Sequence, residues 1–491
     1  MRLASLIGST EALGANSELE ITGLTSDSRA VRPGFLFAAL PGTNDDGTRY
    51  IADALANGAV VVLTSAPTAA NSNTAPLASH VHVLTDANPR RRFAFLAAQF
   101  FANQPQVCIA VTGTNGKTSV AEFCRQIWHR LGKRTASIGT LGVTGADVRT
   151  LPGYVHTTPP PEILYAQLAE LCALGITHVA IEASSHGLAQ YRLDGMRLKA
   201  AALTNITRDH LDYHASEADY IYSKLRLFAE VMAPGGVAVL NREDKNFTDA
   251  EALSWARGHR IISVGGKYGD LRITNAELNA GGQQLRISFG DREWEVDLPL
   301  VGRFQAMNVL TASALVIGCG EDPGDVFGTL GDISGVAGRL QRIGLGPGDA
   351  PVLVDYAHTP DALRTVLQEV RPFVQNRLHV LFGCGGDRDR GKRLQMGEVA
   401  CELADRIIVT DDNPRSEDPA SIRAEILRGC PKAIEIAGRA EAIQAAIADL
   451  RAGDLLIVAG KGHETGQEIA GVRHPFDDRV EVASALAGAK S

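Results

Sequence analysis

Short runs of apolar residues alternate along the chain with longer stretches in which apolar residues recur at helical spacing. In the middle of the chain, the apolar run at 107–111 precedes a helical pattern at 120–131. The same alternation returns after residue 336, where mainly apolar segments at 352–354, 378–382, 406–410 and 454–459 predict strands. Strands that alternate with helices form mostly parallel sheets with helices on their faces. The pattern therefore predicts an α/β protein.

The length of the chain predicts several domains. A chain of 491 residues is too long for one hydrophobic core. Residues 335–342 have the composition of a hinge. Within the region before the hinge, alternating patterns at 284–289 and 294–300 predict an antiparallel hairpin. We expect three domains, a small α/β domain at 1–88, a central domain with a mostly parallel sheet at 89–335 and a Rossmann-like domain at 336–491.

A glycine-rich turn follows the apolar run at 107–111. Residues 113–118 read Gly, Thr, Asn, Gly, Lys and Thr. In this context backbone N–H groups and a helix N-terminus can bind phosphate, Lys117 can reach the outer phosphates, and Thr118 can offer its hydroxyl to Mg²⁺. The match is incomplete, because Val111 stands where the phosphate-loop pattern has its first glycine. A turn without a ligand is the alternative at this point.

Polar side chains also follow two further predicted strands. Glu182 ends one strand and could hold Mg²⁺ near the phosphates, or could only stabilise the next helix through its dipole. The next strand leads into a cluster of Asp209, His210 and Asp212, which has the composition of a ligand site. Lys224 follows on a helix. An ammonium is repelled by a metal, so spacing alone predicts a solvated or anion-binding side chain there.

Composition narrows the classes of function. The net charge of −8 argues against nucleic acid as the main partner. Seven dispersed cysteines are typical of reduced thiols. The N-terminal apolar run is too short for a signal peptide, and no stretch approaches the length of a membrane span. We therefore expect a cytoplasmic protein.

Five ordered motifs together resemble the Mur ligase family of peptidoglycan synthesis. They are the turn at 113–118, Glu-Ala-Ser-Ser-His-Gly-Leu at 182–188, Asn205 with Asp-His-Leu-Asp at 209–212, Gly-Arg-Leu at 338–340, and Asp-Tyr-Ala-His-Thr-Pro at 355–360. The resemblance runs along essentially the whole chain. It implies a monomeric, ATP-dependent ligase of cell-wall biogenesis, with a central domain of the phosphate-loop ATPase type and with roles in cell shape, cell division and the cell cycle.

Within the family, residues 412–415 resemble the Asp-Asn-Pro-Arg of the branch that uses meso-2,6-diaminopimelate. That amino acid carries an additional carboxylate, which a guanidinium such as that of Arg415 can bind through two hydrogen bonds. The implied reaction has two steps. ATP phosphorylates the D-Glu carboxylate of UDP-N-acetylmuramoyl-L-Ala-D-Glu, and the diaminopimelate amine then attacks the acyl phosphate and releases phosphate.

The resemblance also implies residues for ATP, Mg²⁺ and catalysis. The ATP set is Gly113, Thr114, Asn115, Gly116, Lys117, Thr118, Ser119, Asn308, Arg339 and Asp355. The Mg²⁺ ligands would be Thr118, Glu182, His210 and Lys224, and the catalytic set would be Lys117, Glu182, His210 and Lys224. Lys224 matches a carbamylated lysine (N6-carboxylysine), in which a CO₂ adduct turns the cation into an anion. This implication replaces the interpretation from spacing.

Two substrate sets follow from the same resemblance. The UDP-substrate set is Ser26, Ser28, Thr43, Asn44, Asp45, His156, Thr157, Thr158, Ser184, Gln190 and Arg192. The diaminopimelate set is Arg388, Asp412, Asn413, Pro414, Arg415, Gly460 and Glu464. The first-domain loops in the first set read as surface turns when taken alone. Two residues depart from the family pattern, since His156 and Gln305 stand where relatives often have Asn.

Two alternatives stay open at the level of sequence. A folylpolyglutamate synthase-like ligase would share the phosphate loop, the acyl phosphate and the modified lysine, but it lacks the first domain and the match at 412–415. A nucleotide-binding regulator would keep the fold without turnover, against which Lys117, Glu182, His210 and Lys224 all argue.

Overall fold

The computed structural model describes residues 1–8, 17–42, 46–65, 81–145, 148, 156–207, 213–279 and 282–489. The chain forms two compact units, Met1–Val264 with Thr311–Asp322 and Gly265–Leu310 with Pro323–Ser491. The strands of the first unit are mostly parallel, and the second unit combines parallel and antiparallel pairs; both units carry helices between their strands, so the predicted α/β class is confirmed. The domain limits expected after residues 88 and 335 stay predictions.

The first unit begins with a four-stranded parallel sheet in the order β1-β2-β3-β4. Its strands are β1 (Gly23–Thr25), β2 (Phe35–Ala38), β3 (Ala59–Thr64) and β4 (His82–Thr85). Its helices are α1 (Leu3–Ile7), α2 (Ile51–Ala56) and α3 (Pro89–Phe101). Residues of α1 and α3 share one buried apolar cluster with these strands, which fixes α3 against the sheet.

A second set of strands in this unit runs in the order β11-β10-β9-β5-β8-β6-β7. The strands are β5 (Val107–Thr112), β6 (Thr135–Gly139), β7 (Gly142–Thr144), β8 (His178–Glu182), β9 (Leu198–Leu203), β10 (Val237–Asn241) and β11 (Arg260–Gly265). Adjacent strands are parallel except for β7, which is antiparallel to β6. Every residue of β5 and β8 is buried, as expected for strands covered on both faces.

The helices of this layer are α4 (Lys117–Arg130), α5 (Pro161–Ala173), α6 (Ser185–Ala189), α7 (Glu217–Arg226) and α8 (Phe247–Ala256). α7 continues into a π-helical turn at Leu227–Val231. The three consecutive prolines at 159–161 predict a segment without regular structure at 155–161, and this prediction is wrong at its last residue, because Pro161 opens α5. Proline is well tolerated at the first helical position, where its missing N–H is not needed.

The order of the strands creates a crevice at the end of β5. After β5 the chain forms β6, β7 and β8 on one side of β5, and it then crosses to form β9 on the other side. The two strands next to β5 are therefore β8 and β9. Val111 is in register with Glu182, and Thr112 with Leu203. Open α/β sheets bind ligands where the strand order reverses in this way. The phosphate-loop motif begins at this point.

The second unit contains an antiparallel set of β12 (Leu271–Asn279), β13 (Gly282–Phe289) and β14 (Arg292–Leu298). The hairpin predicted from sequence is confirmed, with Phe289 opposite Arg292 across a two-residue turn. The sequence did not predict β12, because most of its side chains are at least partly exposed and leave no buried alternation to detect. Two helices follow, α9 (Arg303–Gly318) and α10 (Pro323–Gly328), and α9 crosses the limit between the units at Leu310.

The remainder of the second unit is a six-stranded sheet in the order β15-β16-β20-β17-β18-β19, parallel except for β15. Its strands are β15 (Gln341–Leu345), β16 (Pro351–Asp355), β17 (Leu378–Phe382), β18 (Arg406–Val409), β19 (Ile434–Glu435) and β20 (Leu455–Ala459), followed by the hairpin β21 (Gly466–Ile469) and β22 (Val472–Pro475). The helices are α11 (Pro360–Val370), α12 (Gly391–Leu403), α13 (Pro419–Leu427), α14 (Arg439–Ala448) and α15 (Asp478–Gly488).

Short 3-10 turns occur at Ser28–Ala30, Gly47–Tyr50, Leu330–Asp332, Pro347–Asp349 and Arg371–Phe373. None of the helices in the described ranges has both the length and the apolar character needed to cross a membrane.

Candidate active site

The turn after β5 has the backbone of a phosphate-binding loop. Gly116 has a φ of 85° and serves as the N-cap of α4 without a side-chain cap. The first turn of a helix leaves N–H groups without intrahelical partners, and these are suited to an anion. Gly113 has a φ of 149°, and a Cβ there would collide with Thr204 Oγ1. Both glycines are therefore required by the shape of the loop.

Lys117 folds back over this loop. Its Nζ donates hydrogen bonds to the carbonyl oxygens of Gly113 and Thr114, each at 2.9 Å. The ammonium is thus held on the same side as the start of α4, where outer phosphates would lie.

Thr118 and Glu182 meet beside the loop. Thr118 Oγ1 donates to Glu182 Oε2 at 2.9 Å. The other carboxylate oxygen accepts from the backbone N–H of Thr140 at 2.8 Å, and Glu182 is only 2% exposed. A hydroxyl and a carboxylate are oxygen ligands of the kind that Mg²⁺ prefers, so this pair fits such an ion. No group of three or more His, Cys, Asp or Glu suited to a metal occurs among the described residues.

The position of Glu182 requires a glycine at 139, which the sequence did not reveal. It lies at the end of β6, and a Cβ there would overlap the Glu182 carboxylate, lying 2.5 Å from its Cδ. Only a residue without a side chain lets Glu182 reach Thr118 and Thr140. The glycine has no positive φ that would have marked it as special, so only the tertiary contact identifies it.

Lys224 is buried against the loop and is not solvated. It is 1% exposed, and its Nζ donates to the Gly113 carbonyl at 2.7 Å. The ammonium lies 4.6 Å from the centre of the Tyr220 ring, whose hydroxyl hydrogen-bonds Thr114 Oγ1 at 2.8 Å. Of the two alternatives drawn from helical spacing, the solvated side chain is therefore wrong. Spacing identified the shared face of Tyr220 and Lys224 correctly, but it carries no information about what that face contacts.

The segment after β9 holds the other side of the loop. Thr114 N–H donates to the Asn205 carbonyl at 2.6 Å, and Asn115 N–H donates to Asn205 Oδ1 at 3.1 Å. Asp244, which the sequence did not single out, accepts from Ile206 N–H at 2.6 Å and so anchors this segment. His210 lies outside the described residues, as do its neighbours at 208–212.

Four of the expected UDP-substrate residues form one network. Thr158 Oγ1 donates to the Glu182 carbonyl at 2.7 Å and hydrogen-bonds Ser184 Oγ at 3.0 Å. Arg192 donates to the Thr158 carbonyl and, at 2.7 Å, to Gln190 Oε1. The network starts at the Glu182 backbone, so these side chains adjoin the phosphate loop.

The other expected UDP-substrate residues do not share one environment. Thr157 Oγ1 hydrogen-bonds Thr140 Oγ1 at 3.1 Å, which brings it close to Glu182, and His156 is exposed. Ser28 begins a 3-10 turn. Residues Thr43, Asn44 and Asp45 lie outside the described residues.

A cavity of about 370 Å³ lies in the first unit beside this network. Ser26, Gln190 and Arg192 line it, together with Arg90 and Glu162, which the sequence did not indicate. Ser26 donates to Glu162 Oε1 through its N–H at 3.1 Å and through its hydroxyl at 2.7 Å.

The expected ATP residues beyond the loop all belong to the second unit. Asp355 ends β16 and accepts from the N–H groups of Leu340 and Ala357, each at 2.7 Å. Burial raises the pKa of the Asp355 carboxyl, and the charge of Arg339 opposes that rise. Arg339 lies over the Tyr356 ring, 4.7 Å from its centre.

Gln305 connects the remaining ATP residue to this group. Its Nε2 donates to the Arg339 carbonyl at 3.1 Å, and its Oε1 accepts from Asn308 Nδ2 at 3.1 Å. Gln305 thus bridges Asn308 and the backbone of Arg339.

The expected diaminopimelate residues also lie in the second unit. Asn413 Nδ2 donates to Glu464 Oε2 at 2.9 Å, and Lys461 Nζ donates to Asn413 Oδ1 at 3.0 Å and to the same Glu464 oxygen at 3.2 Å. Lys461 is fully buried and was missed, because a Lys between two glycines resembles any polar turn. Its charge fixes the orientation of both partners.

Arg415 lies beside this cluster in a left-handed conformation, with a φ of 52°. It donates to the Gly386 carbonyl at 2.7 Å. Gly460 lets Asp412 approach, since a Cβ at 460 would lie 2.7 Å from Asp412 Oδ2. Pro414 lies between the Asn and the Arg, and Arg388 lies in the segment between β17 and α12.

A buried arginine joins the two segments that carry these side chains. Arg393 donates to Glu417 Oε1 at 2.8 Å and to Glu425 Oε2 at 2.9 Å. Glu417 in turn accepts from the N–H of Asp387 at 2.7 Å. These bonds lower the pKa of Glu417 to about 2, with the Arg393 hydrogen bond as the largest cause. The segments at 385–390 and 412–417 are therefore fixed to each other.

Three family models match the chain in order. They are the Mur ligase family catalytic domain at 20–101, the Mur ligase middle domain at 111–316, and the Mur ligase glutamate ligase domain at 338–462.

One curated relative, from Bradyrhizobium diazoefficiens, is 49% identical over 493 residues, covers 99% of each chain, and is named UDP-N-acetylmuramoyl-L-alanyl-D-glutamate--2,6-diaminopimelate ligase. A solved structure with that same name aligns with a TM-score of 0.74 at 33% identity, covering 100% of this chain and 99% of the other. A folylpolyglutamate synthase structure from Mycobacterium tuberculosis shares the fold, with a TM-score of 0.58 at 20% identity, and covers 76% of this chain and 92% of its own. The chain belongs to the Mur ligase family.

Proposed function

We propose that the chain is an ATP-dependent ligase that adds meso-2,6-diaminopimelate to the D-Glu carboxylate of UDP-N-acetylmuramoyl-L-Ala-D-Glu. The observation that carries the proposal is the convergence of Lys117, the Thr118–Glu182 pair and buried Lys224 on one phosphate loop. The substrates are supported by the name of the curated relative that is 49% identical over 99% of the chain.

In the proposed first step, a D-Glu carboxylate oxygen attacks the γ-phosphorus of ATP, and the bond to the β-phosphate oxygen breaks. The products are an acyl phosphate and ADP. The loop N–H groups and Lys117 hold the phosphates, so that the transferred group is placed in line with the carboxylate. Phosphoryl transfer depends mainly on such positioning and on electrostatic stabilisation.

In the second step, the neutral amine of diaminopimelate attacks the acyl carbon. The nitrogen loses one proton to the phosphate or to water, an amide forms, and inorganic phosphate leaves with the former carboxylate oxygen. The same loop that bound the γ-phosphate stabilises the departing phosphate, because its N–H groups are fixed before the reaction begins.

Thr118, Glu182, His210 and a carbamylated Lys224 would hold Mg²⁺, which when bound neutralises charge on the phosphates. The carbamate forms when neutral Lys224 Nζ bonds to the carbon of CO₂ and loses a proton. The Gly113 carbonyl, which accepts from Nζ at 2.7 Å, orients the nitrogen.

Diaminopimelate would bind in the second unit. Its far end carries one carboxylate and one ammonium. Arg415 and Arg388 supply guanidinium groups for the carboxylate, and Glu464 supplies an acceptor for the ammonium. Lys461 holds Glu464 and Asn413 in place. L-Lysine lacks the far carboxylate and would leave Arg415 without its partner.

The remaining parts of the proposal concern organisation. We propose the domains 1–88 for the UDP-substrate, 89–335 for ATP and 336–491 for the amino acid, which the order of the three family-model matches supports. We also propose a cytoplasmic monomer that serves cell-wall precursor synthesis and thereby cell shape, cell division and the cell cycle.

The proposal is tested by measuring ADP release while each substrate is omitted in turn. We expect release only when ATP, the UDP-dipeptide and diaminopimelate are all present, and L-lysine should support a much lower rate. Release that depends on a folate and glutamate would favour the folylpolyglutamate synthase alternative. Binding of ATP without turnover under any of these conditions would favour the regulator.

A further inference from the structure

The cavity beside Ser26 is lined by charged residues of both signs. The positive residues are Arg90 and Arg192, and the negative residues are Glu162 and Asp27, of which Asp27 is already bound by the guanidinium of Arg29. Its apolar lining includes Phe93 and Ile163. A ligand that fits such a lining carries an anionic part, a part with hydrogen-bond donors, and a flat or apolar part.

Arg90 is placed where a cation is unfavourable without an anion. It lies in the first turn of α3, which contains no acidic residue. The N-terminus of a helix carries a partial positive charge, so a cation there is repelled. Burial also lowers the pKa of Arg90. Both effects disfavour the charged guanidinium, and a bound anion would offset them.

In the ranges that the structure describes, the adjacent Arg91, unlike Arg90, has a buried carboxylate partner and therefore a structural role. Arg91 Nε donates to buried Asp194 at 2.9 Å. Arg90 instead donates only to the Pro41 carbonyl, and within the described part of the chain it has no carboxylate partner. The guanidinium of Arg90 therefore retains donors that point to no structural acceptor.

Glu162 has the opposite character. Its Oε1 accepts both hydrogen bonds from Ser26, whereas its Oε2 is buried and has no hydrogen-bond partner among the described residues. A carboxylate oxygen without a donor is costly. A phosphate at neutral pH offers no donor and is repelled by this group, but a uracil imide N–H or a ribose hydroxyl can donate to it.

We propose that Arg90 binds the diphosphate of the UDP-linked substrate and that Glu162 accepts hydrogen bonds from its nucleoside end. This inference rests on the proposed function, because that function supplies the UDP group. It fixes the direction of the nucleotide in the cavity. The diphosphate lies toward the start of α3, and the nucleoside lies toward Ser26 and the start of α5.

The test is calorimetric titration of the full chain with UDP, UMP and uridine. Hydrogen bonds to charged groups contribute about 1.5–3 kcal/mol, so Arg90→Gln should raise the Kd for UDP by about tenfold or more. The Kd for uridine should stay unchanged. Glu162→Gln should weaken uridine and UDP by the same factor, since both contain the nucleoside. Arg92→Gln is the matched control on the same helix, because Arg92 does not line the cavity, and UDP binding should be unchanged.

Three results would overturn the inference. Arg90→Gln could leave UDP binding unchanged or weaken uridine equally, and either would remove Arg90 from the diphosphate. Glu162→Gln could tighten UDP binding, which would mean that the carboxylate faces the diphosphate. Measuring turnover of the UDP-dipeptide by the wild type distinguishes a failure of this inference from a failure of the proposed function. Normal turnover with unaltered UDP binding in Arg90→Gln rejects only the inference, whereas UDP binding through Arg90 without turnover rejects only the function.

Discussion

Replacing Gly139 by alanine tests whether Glu182 must reach the phosphate loop. The added Cβ would lie 2.5 Å from Glu182 Cδ, so the carboxylate has to move. Gly139 has no positive φ, and the substitution therefore adds steric contact without backbone strain. Its effect is confined to the carboxylate and the bonds that the carboxylate makes.

The size of the effect follows from the bonds that are lost. Glu182 accepts from Thr140 N–H at 2.8 Å and from Thr118 Oγ1 at 2.9 Å. Each hydrogen bond to a charged group contributes about 1.5–3 kcal/mol, so losing both removes about 3–6 kcal/mol of the interaction free energy that holds the Glu182 carboxylate in place. If the transition state needs that arrangement, kcat falls by about a hundredfold or more.

The assay is steady-state ADP release with saturating substrates, together with thermal unfolding of the same preparations. Glu182→Gln keeps the shape of the side chain, removes its charge, and should reduce kcat to a similar extent. Gly328→Ala is the control, because a Cβ at that helical glycine meets nothing within 4 Å. A Gly139→Ala protein with wild-type kcat would refute the reasoning. A reduced kcat with Glu182→Gln fully active would assign the loss to a different cause.

Three further predictions concern the lysine, the amino-acid site and acid stability. Lys224→Ala should lose most of its activity, since no carbamate can form, and wild-type activity should fall when bicarbonate and CO₂ are removed. Arg415→Ala should raise the KM for diaminopimelate by about tenfold or more while changing kcat little, as measured by initial rates. Burial, followed by the charge of Arg339, lowers the pKa of His463 from 6.5 to about 4. Between these values the unfolded chain binds more protons than the folded one, so stability is full above about pH 6.5 and is lost as pH falls toward 4. The unfolding temperature of wild type should therefore drop more steeply in this window than that of His463→Asn.

Each of these predictions has a control on the surface. Lys245→Ala removes an exposed ion pair with Glu217 and should leave turnover unchanged. Arg364→Ala removes a surface pair and should leave the KM for diaminopimelate unchanged. His474→Asn changes an exposed histidine and should retain the wild-type dependence of unfolding on pH. Full activity of Lys224→Ala, an unchanged KM for Arg415→Ala, or parallel pH curves for wild type and His463→Asn would contradict the corresponding argument.

The sequence predicted features that depend on local spacing. The phosphate loop was recognisable because its glycines, lysine and threonine are consecutive and lie between a strand and a helix. Glu182 was recognisable because it ends a buried strand. Parallel strands bring such ends together, and the register of Val111 with Glu182 confirms that they meet.

Features that depend on tertiary contacts were not predictable in the same way. Gly139 and Lys461 have ordinary local sequences. Gly139 matters because it makes room for Glu182, which is remote in sequence. Lys461 matters because its side chain reaches Glu464 across a turn. Arg90 reads as one of three consecutive arginines, and only the position of α3 separates it from its neighbours. Lys224 was misread from spacing, because helical periodicity identifies a face without identifying its environment.

The most direct test of the central claim is the fate of oxygen in the D-Glu carboxylate. The UDP-dipeptide is prepared with a heavy oxygen isotope at both oxygens of the D-Glu carboxylate that reacts. The released phosphate is then analysed by mass spectrometry. An acyl phosphate requires one labelled oxygen to leave with each phosphate and one to remain in the new amide. Phosphate without label would mean that ATP is hydrolysed by water, and the proposed transfer to the carboxylate would be wrong.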